Sequence, residues 1–442
     1  MWARIRRGLW AAHDAAGGLA VDVGLYALSA LFALVTATSS TLVPHRAWGS
    51  VAVYGYAAAT ALALVQLALR RSGDRWARPA ARAGLAVLTW CAVALLPLLL
   101  QAVQRAGGVG GGAGRTDRAQ EEVLVIEEGG RRLLESGTPY LGRAAIAALP
   151  EGERLLAYLP YQPAMAVFGL PRGLDPSAAW WSDARVWFAL VTGAALAAAL
   201  LVLRAGGGTP ELLVRALQVA TVLPVCALTL ATGGDDLPVL ALCLLALALA
   251  ATGRPGLAGL AVGAAAALKL FAWPVAVVLA VHALTRGRGS LARYAAGAVG
   301  LPVLTLLPVL VVDPGGVAEN VLQFPLGRGL VTSPAQSRLP GHLLATAGSW
   351  GRVLALALLL AAGVAIAVGL WRRPPLTAAA ASRVCGYGLL AAMLLLPATR
   401  FGYVLYPLAF LVWGAGRYVA RPAGASATSA EPEPAIDWSR AG

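Results

Sequence analysis

The chain has 442 residues, 59% of them apolar and 13% charged, with a mean hydropathy of +0.71. A soluble protein carries about a quarter charged residues, so these proportions exclude a soluble globular enzyme and point to a polytopic α-helical membrane protein. The net charge of +14 does not indicate a nucleic-acid partner, because the arginines cluster at the ends of apolar runs, the positive-inside pattern of multi-spanning proteins.

Arg4, Arg6 and Arg7 precede a first span at 21–43, read as an uncleaved signal anchor with the N-terminus in the cytoplasm. A second span at 50–69, a cytoplasmic loop at 70–82 with five arginines and a third span at 84–103 bring the chain to the outside. The Gly-rich run at 107–114 has no strand before it and lacks the Lys-Ser/Thr ending of a phosphate loop, so it reads as a tether. Next comes the densest set of carboxylates in the chain, EEVLVIEEGGRRLLESGTPY at 121–140. Val123, Ile126, Leu133 and Leu134 recur there at helical spacing, which predicts a short amphipathic helix lying on the membrane surface. Gly137 supplies its C-cap, and Pro139 prevents it from continuing. Charge near lipid is expensive, so acids at the mouth of a bundle point to chemistry or binding; the plainer reading is a solvated helix that keeps a loop soluble.

The segment 158–171, broken by three prolines, suits a re-entrant or interfacial stretch. Trp180, Trp181 and Trp187 form an aromatic belt at the entry to a span at 184–203. All of 104–183 is thus expected to be the first large extracytoplasmic region. A fifth span ends near Thr232, where Asp235 and Asp236 form a paired acid on the outer side, and a sixth runs to Ala251. Arginines at both ends of the apolar stretch 255–285 favour an even number of crossings, read as two short helices meeting near Lys269. A span at 294–312, an outer loop at 313–349 and spans at 353–371, 378–397 and 401–418 follow. The Ala/Pro/Ser/Glu-rich tail at 422–442 reads as disordered and cytoplasmic. The expected fold is an all-α polytopic transmembrane bundle of about eleven or twelve crossings, one domain over 1–421.

Cys91, Cys226, Cys243 and Cys385 stand singly in apolar runs, as small core residues do, and no metal-ligand spacing is present. Lys269 is the only lysine among 35 cationic residues. An ammonium inside an apolar run must meet an anion or reach water; it is either a snorkelling lysine at a turn or a cation reserved for a phosphate or carboxylate. Arg328, Arg338 and Arg400 fall on the outside, against the positive-inside bias. Outer cations beside outer carboxylates are what a sugar transferase with a lipid-phosphate donor needs. A carboxylate takes the acceptor hydroxyl proton, and the cations stabilise the departing phosphate. A transporter or flippase for a lipid-linked or anionic substrate would use the same residues without bond breaking, although no internal repeat supports that reading.

Four motifs occur in order. They are Glu122 with Gly137-Thr138-Pro139-Tyr140, then Tyr158-Leu159-Pro160-Tyr161-Gln162-Pro163, then Gly234-Asp235-Asp236 through Leu257-Ala258-Gly259-Leu260 to Ala267-Leu268-Lys269, and last Ser333-Pro334-Ala335-Gln336-Ser337. Together they resemble the actinobacterial polyprenyl-phosphate-mannose-dependent mannosyltransferases, members of the GT-C class of polytopic glycosyltransferases. That family usually has Asp at the position of Glu122 and an aromatic residue at that of Ile126. Its C-terminal Ser/Trp/His signature is replaced here by Pro397-Ala398-Thr399-Arg400-Phe401-Gly402-Tyr403. The resemblance implies a cell-membrane enzyme moving a sugar, mannose, from a polyprenyl-phosphate donor to an extracytoplasmic glycolipid or glycan acceptor with inversion, without cofactor or metal. Glu122 is then the expected general base, with Glu127 or Asp117 as substitutes. Lys269, Arg400 and Arg338 are expected to bind the donor phosphate, and Tyr140, Tyr161, Asp235 and Asp236 to line the substrate cavity. The partners are donor, acceptor and membrane lipid, with no nucleic acid.

Overall fold

The computed structural model describes residues 18–70, 74–76, 78–108, 118–175 and 177–415. Most of the Gly-rich tether, Asp117 and the tail at 422–442 lie outside them. Long apolar runs fold as helices because each backbone N–H and C=O must be paired within its own segment wherever water is absent. The chain begins with α1 (Leu19–Ser39), α2 (Val43–Leu69) and α3 (Pro79–Ala106), followed by the amphipathic α4 (Glu121–Ser136) and then α5 (Ala184–Ala205). Next come α6 (Pro210–Thr221) and α7 (Pro224–Thr232), which together are long enough for one span bent by 44°. Three shorter helices follow, α8 (Asp236–Ala251), α9 (Pro255–Leu268) and α10 (Ala272–Leu284). The long α11 (Arg288–Val312), α12 (Ser349–Arg372) and α13 (Ala378–Leu395) and the short α14 (Leu405–Ala415) complete the bundle. Among the described residues no strand forms, and Gln336 and Thr399 make an isolated β-bridge.

Seven helices are long and apolar enough to cross a membrane, or eight with the bent pair. The eleven or twelve crossings expected from hydropathy had counted α8, α9, α10 and the stretch around α14 as crossings. The 14 residues of α9 reach only about 21 Å, against a hydrocarbon core of about 30 Å. Asp235 stands at the start of α8 and Lys269 directly after the end of α9, so these two helices meet polar residues at their ends inside the bundle. A close small-residue contact holds α9 to α11: a Cβ on Gly263 would sit 2.2 Å from the Gly297 carbonyl oxygen.

Two buried polar staples fix the ends of the bundle. At one end Asp22 of α1 takes the Arg82 guanidinium of α3 at 2.6 Å, and it also accepts from Arg215 of α6 and from Gln218. At the other end of α3, Arg105 reaches Glu127 of α4 at 2.7 Å and Asp183 at 2.9 Å. Between these two arginines α3 contains a π-helical turn, Cys91–Leu95, whose Val93 carbonyl accepts the Trp48 indole N–H at 2.7 Å.

The amphipathic helix forms as expected, and Gly137 closes it in the left-handed conformation at φ 73°, its N–H on Leu133 O. Its buried face differs from the expected apolar one. Val123, Ile126, Glu127 and Gly130 are buried, whereas Leu134 is 47% exposed. The helix therefore packs on protein through Glu127 and Gly130. A Cβ on Gly130 would lie 2.2 Å from the Gly169 carbonyl carbon, with the Gly169 Cα and O both at 2.6 Å. These are backbone atoms that cannot swing aside, so Gly130→Ala forces α4 off its seat. We expect a loss of about 1–3 kcal/mol, seen as a lower unfolding temperature and faster proteolysis between α3 and α5; an unchanged melting curve would show that α4 docks some other way.

Candidate active site

The first turn of α4 is anchored before the helix begins. Gln120, its N-cap residue, donates its backbone N–H to Thr232 O at 2.9 Å, and its side-chain amide meets the His45 ring at the start of α2. Glu121 and Glu122 then occupy the first turn, where the positive end of the helix dipole favours carboxylates. The Glu122 carboxylate is ion-paired with Arg400. Arg400 sits at the start of the short turn Phe401–Val404, which is zipped to the later loop: Ser337 N–H donates to Thr399 O at 2.9 Å, and Phe401 N–H to Ser337 Oγ at 2.9 Å. Arg338 follows directly on that loop, exposed and without an ion pair to any described residue.

A second cluster lies at the same end. Lys269 follows the last residue of α9, and its Nζ donates to Asp235 Oδ2 at 2.8 Å and to Asp236 Oδ1 at 2.6 Å. The ammonium also lies over the rings of Tyr161 and Tyr403, 5.2 and 5.3 Å from their centres. Tyr406 donates its hydroxyl to Asp236 Oδ1 at 2.8 Å, and Phe271 stacks on Tyr406. The tyrosine segment is tied in by Gln162 N–H to Leu268 O at 3.1 Å and by Tyr140 Oη to Tyr161 O at 2.7 Å. Burial, and then the Asp235 and Asp236 charges, push the Tyr161 phenol well above its ordinary pKa, so it stays protonated. Tyr403, three residues past Arg400, joins the two clusters, because its ring covers Lys269 while its N–H bonds Arg400 O at 3.1 Å.

The fold thus brings Glu122, Arg400, Asp235, Asp236, Lys269, Tyr140 and Tyr161 to one end of the bundle. Glu127 faces away from this group. Its carboxylate is clamped by Arg105 and accepts Ala184 N–H at 3.1 Å, in a buried network with Asp183 and Arg185. Lys269 is no free cation: two carboxylates, Asp235 and Asp236, hold its ammonium. Tyr403, noted in the sequence only as the end of the 397–403 stretch, and Tyr406 were given no site role there, although two polar aromatics three residues apart in an apolar run were a usable signal. Glu319 and Asn320 were also missed, and no sequence signal marks them. They hold the tyrosine segment from outside, through Tyr158 Oη to Glu319 at 2.7 Å and Leu159 N–H to Asn320 Oδ1 at 2.8 Å.

Residues 158–397, just over half the chain, match the family model of glycosyltransferase family 87. No curated protein and no solved structure matches. The matched stretch includes the tyrosine segment, the Asp pair, Lys269 and the Ser333–Ser337 loop, and it stops short of Glu122 and Arg400 on either side.

Proposed function

The chain belongs to glycosyltransferase family 87, and from that premise we propose that this integral membrane glycosyltransferase moves a mannosyl group from a polyprenyl-phosphate donor to a glycolipid or glycan acceptor at the outer face of the cell membrane. The observation that carries this reading is the Glu122–Arg400 ion pair, a carboxylate and a guanidinium of the kinds that a general base and a phosphate ligand require. A donor sugar entering between them parts the pair. Arg400 turns to the phosphate, with Arg338, which forms no ion pair with a described residue, as its second cation, and Glu122 is left free to accept a proton.

In the step itself the acceptor oxygen attacks the anomeric carbon from the face opposite the phosphate. The bond from that carbon to the phosphate oxygen breaks, and the polyprenyl phosphate departs with the electron pair. The acceptor proton passes to Glu122, so one displacement inverts the anomeric centre. Arg400 and Arg338 neutralise the charge that grows on the leaving phosphate, and that growth makes their contribution larger in the transition state than in the ground state. Lys269 serves here as a positioning residue: it gathers Asp235, Asp236, Tyr161 and Tyr403 into the floor beneath the pair.

Purified full-length enzyme, supplied with either a polyprenyl-phosphate sugar or a nucleotide sugar, tests the donor class. Turnover is expected with the lipid-linked sugar alone; turnover with the nucleotide sugar in the absence of any lipid carrier would refute the reading. Arg400→Gln is expected to raise the donor KM about ten- to hundredfold, the value of one or two charge-assisted hydrogen bonds, and to leave the acceptor KM near wild type. Equal effects on both substrates would place Arg400 outside the donor subsite.

A further inference from the structure

We propose that His45 and Gly233 are positioning residues for sugar transfer: they grip the Gln120 side-chain amide from two sides and so fix the direction in which Glu122 points. The inference rests on the role given to Glu122 above.

Gln120 is an unusual residue for its place. It is the N-cap of α4, a position where Ser, Thr, Asp or Asn would bond the free N–H groups of the first turn. Its side chain makes no such cap and reaches sideways instead. The amide nitrogen meets His45 Nε2 at the start of α2. That nitrogen only donates, so the imidazole accepts there and is neutral. The amide oxygen lies against Gly233, on the turn from α7 to α8 that carries Asp235 and Asp236. A Cβ on Gly233 would sit 2.4 Å from Gln120 Oε1. Gly233 is outside the left-handed region, at φ −124°, so what the glycine supplies here is space for the amide. A capping residue that gives up the cap to touch two other elements breaks a local rule, and such breaks concentrate at functional sites.

The tie acts between contacts that secure the rest of α4. Beyond Glu122, Arg105 grips Glu127, and Gly130 seats on Gly169. Before it, Arg185 Nη1 donates to Arg118 O at 2.8 Å, and Gln120 N–H donates to Thr232 O at 2.9 Å. These bonds keep the helix in place without the His45 contact. A single backbone bond at Gln120 is a pivot, and the side-chain tie adds the second point that stops rotation about it. Glu122 stands two residues on, about 3 Å along the helix axis, so a loosened first turn swings its carboxylate. A displacement of about 1 Å at a reacting group can cost about hundredfold in rate. Arg400 is held separately, through the Ser337–Thr399 bond, so donor binding does not depend on the tie.

Full-length protein carrying His45→Leu or Gly233→Ala tests the tie by two readouts. Hydrogen exchange in detergent should be faster in the first turn of α4 and unchanged beyond Glu127, whatever the donor or the base. Turnover is measured with radiolabelled polyprenyl-phosphate mannose and a lipid extract of the producing cells as acceptor. It should fall about ten- to hundredfold at an unchanged donor KM and an unchanged unfolding temperature. His45→Gln keeps an acceptor at similar reach and should restore both readouts. In the Glu122→Gln background, His45→Leu should cost nothing further, because the two changes act through one carboxylate. Wild-type exchange in both variants, or an equal loss of turnover with and without Glu122, would overturn the proposal. Wild-type turnover in Glu122→Gln alone would remove the base and the positioning role together, while faster exchange would still establish the tie.

Discussion

Glu122→Gln is expected to lower sugar transfer by about 10²–10⁴-fold, the usual contribution of a general base, while the protein still inserts and unfolds at the wild-type temperature. The amide preserves the size of the side chain and its place in the first turn of α4, but it cannot take up the acceptor proton. Arg400 loses its partner in this variant. With 34% of its side chain exposed, water can replace most of that contact, and partly exposed ion pairs contribute little to stability. The matching change five residues along the same helix should behave in the opposite way. Glu127→Gln leaves Arg105 buried beside a weaker acceptor, so it should fail by unfolding. Turnover from a lipid-linked donor, measured beside a melting curve, separates the two. Wild-type turnover in Glu122→Gln would move the base to Asp117 or to the Asp235–Asp236 pair.

The second large effect is on stability. Lys269→Met leaves Asp235 and Asp236 side by side, both buried, with no cation between them. Removing one partner from a buried ion cluster costs about 3–5 kcal/mol, enough to unfold many domains outright. The triple variant Lys269→Met with Asp235→Asn and Asp236→Asn should recover much of the loss, because no uncompensated charge remains. A single variant that stays folded and only raises the donor KM would show that Lys269 binds the donor phosphate after all.

The helices themselves were legible because a bilayer imposes a length and a composition that any sliding window detects. The anomaly of Lys269 was legible for the same reason: an ammonium stands out against an apolar run. Its partner was not, since Asp235 and Asp236 lie a whole helical hairpin earlier and adjacency in the chain says nothing of which turns meet. Glu122 was set above Glu127 only by the resemblance; nothing in the residues themselves told which way either side chain turns. They differ because α4 turns one toward Arg400 and the other toward Arg105, and that choice is set by Gly130 packing on Gly169, a contact between two residues without side chains. Arg105 was not singled out in the sequence, and the staple it forms with Asp183 has no signature there.

The π-helical turn in α3 makes the number of residues in that helix matter. Each added residue rotates everything after it by about 100°, and the extra residue of the wide turn, Cys91–Leu95, is absorbed within the helix. Arg82, before the turn, and Arg105, after it, each face their own buried carboxylates. The helix works like a shaft with a fixed angular offset between its two ends: one end indexes α1 and α6, and the other indexes α4, the helix that carries Glu122. Loops of this protein can lengthen or shorten without disturbing that offset, whereas the stretch from Pro79 to Ala106 tolerates substitution far better than any change in length.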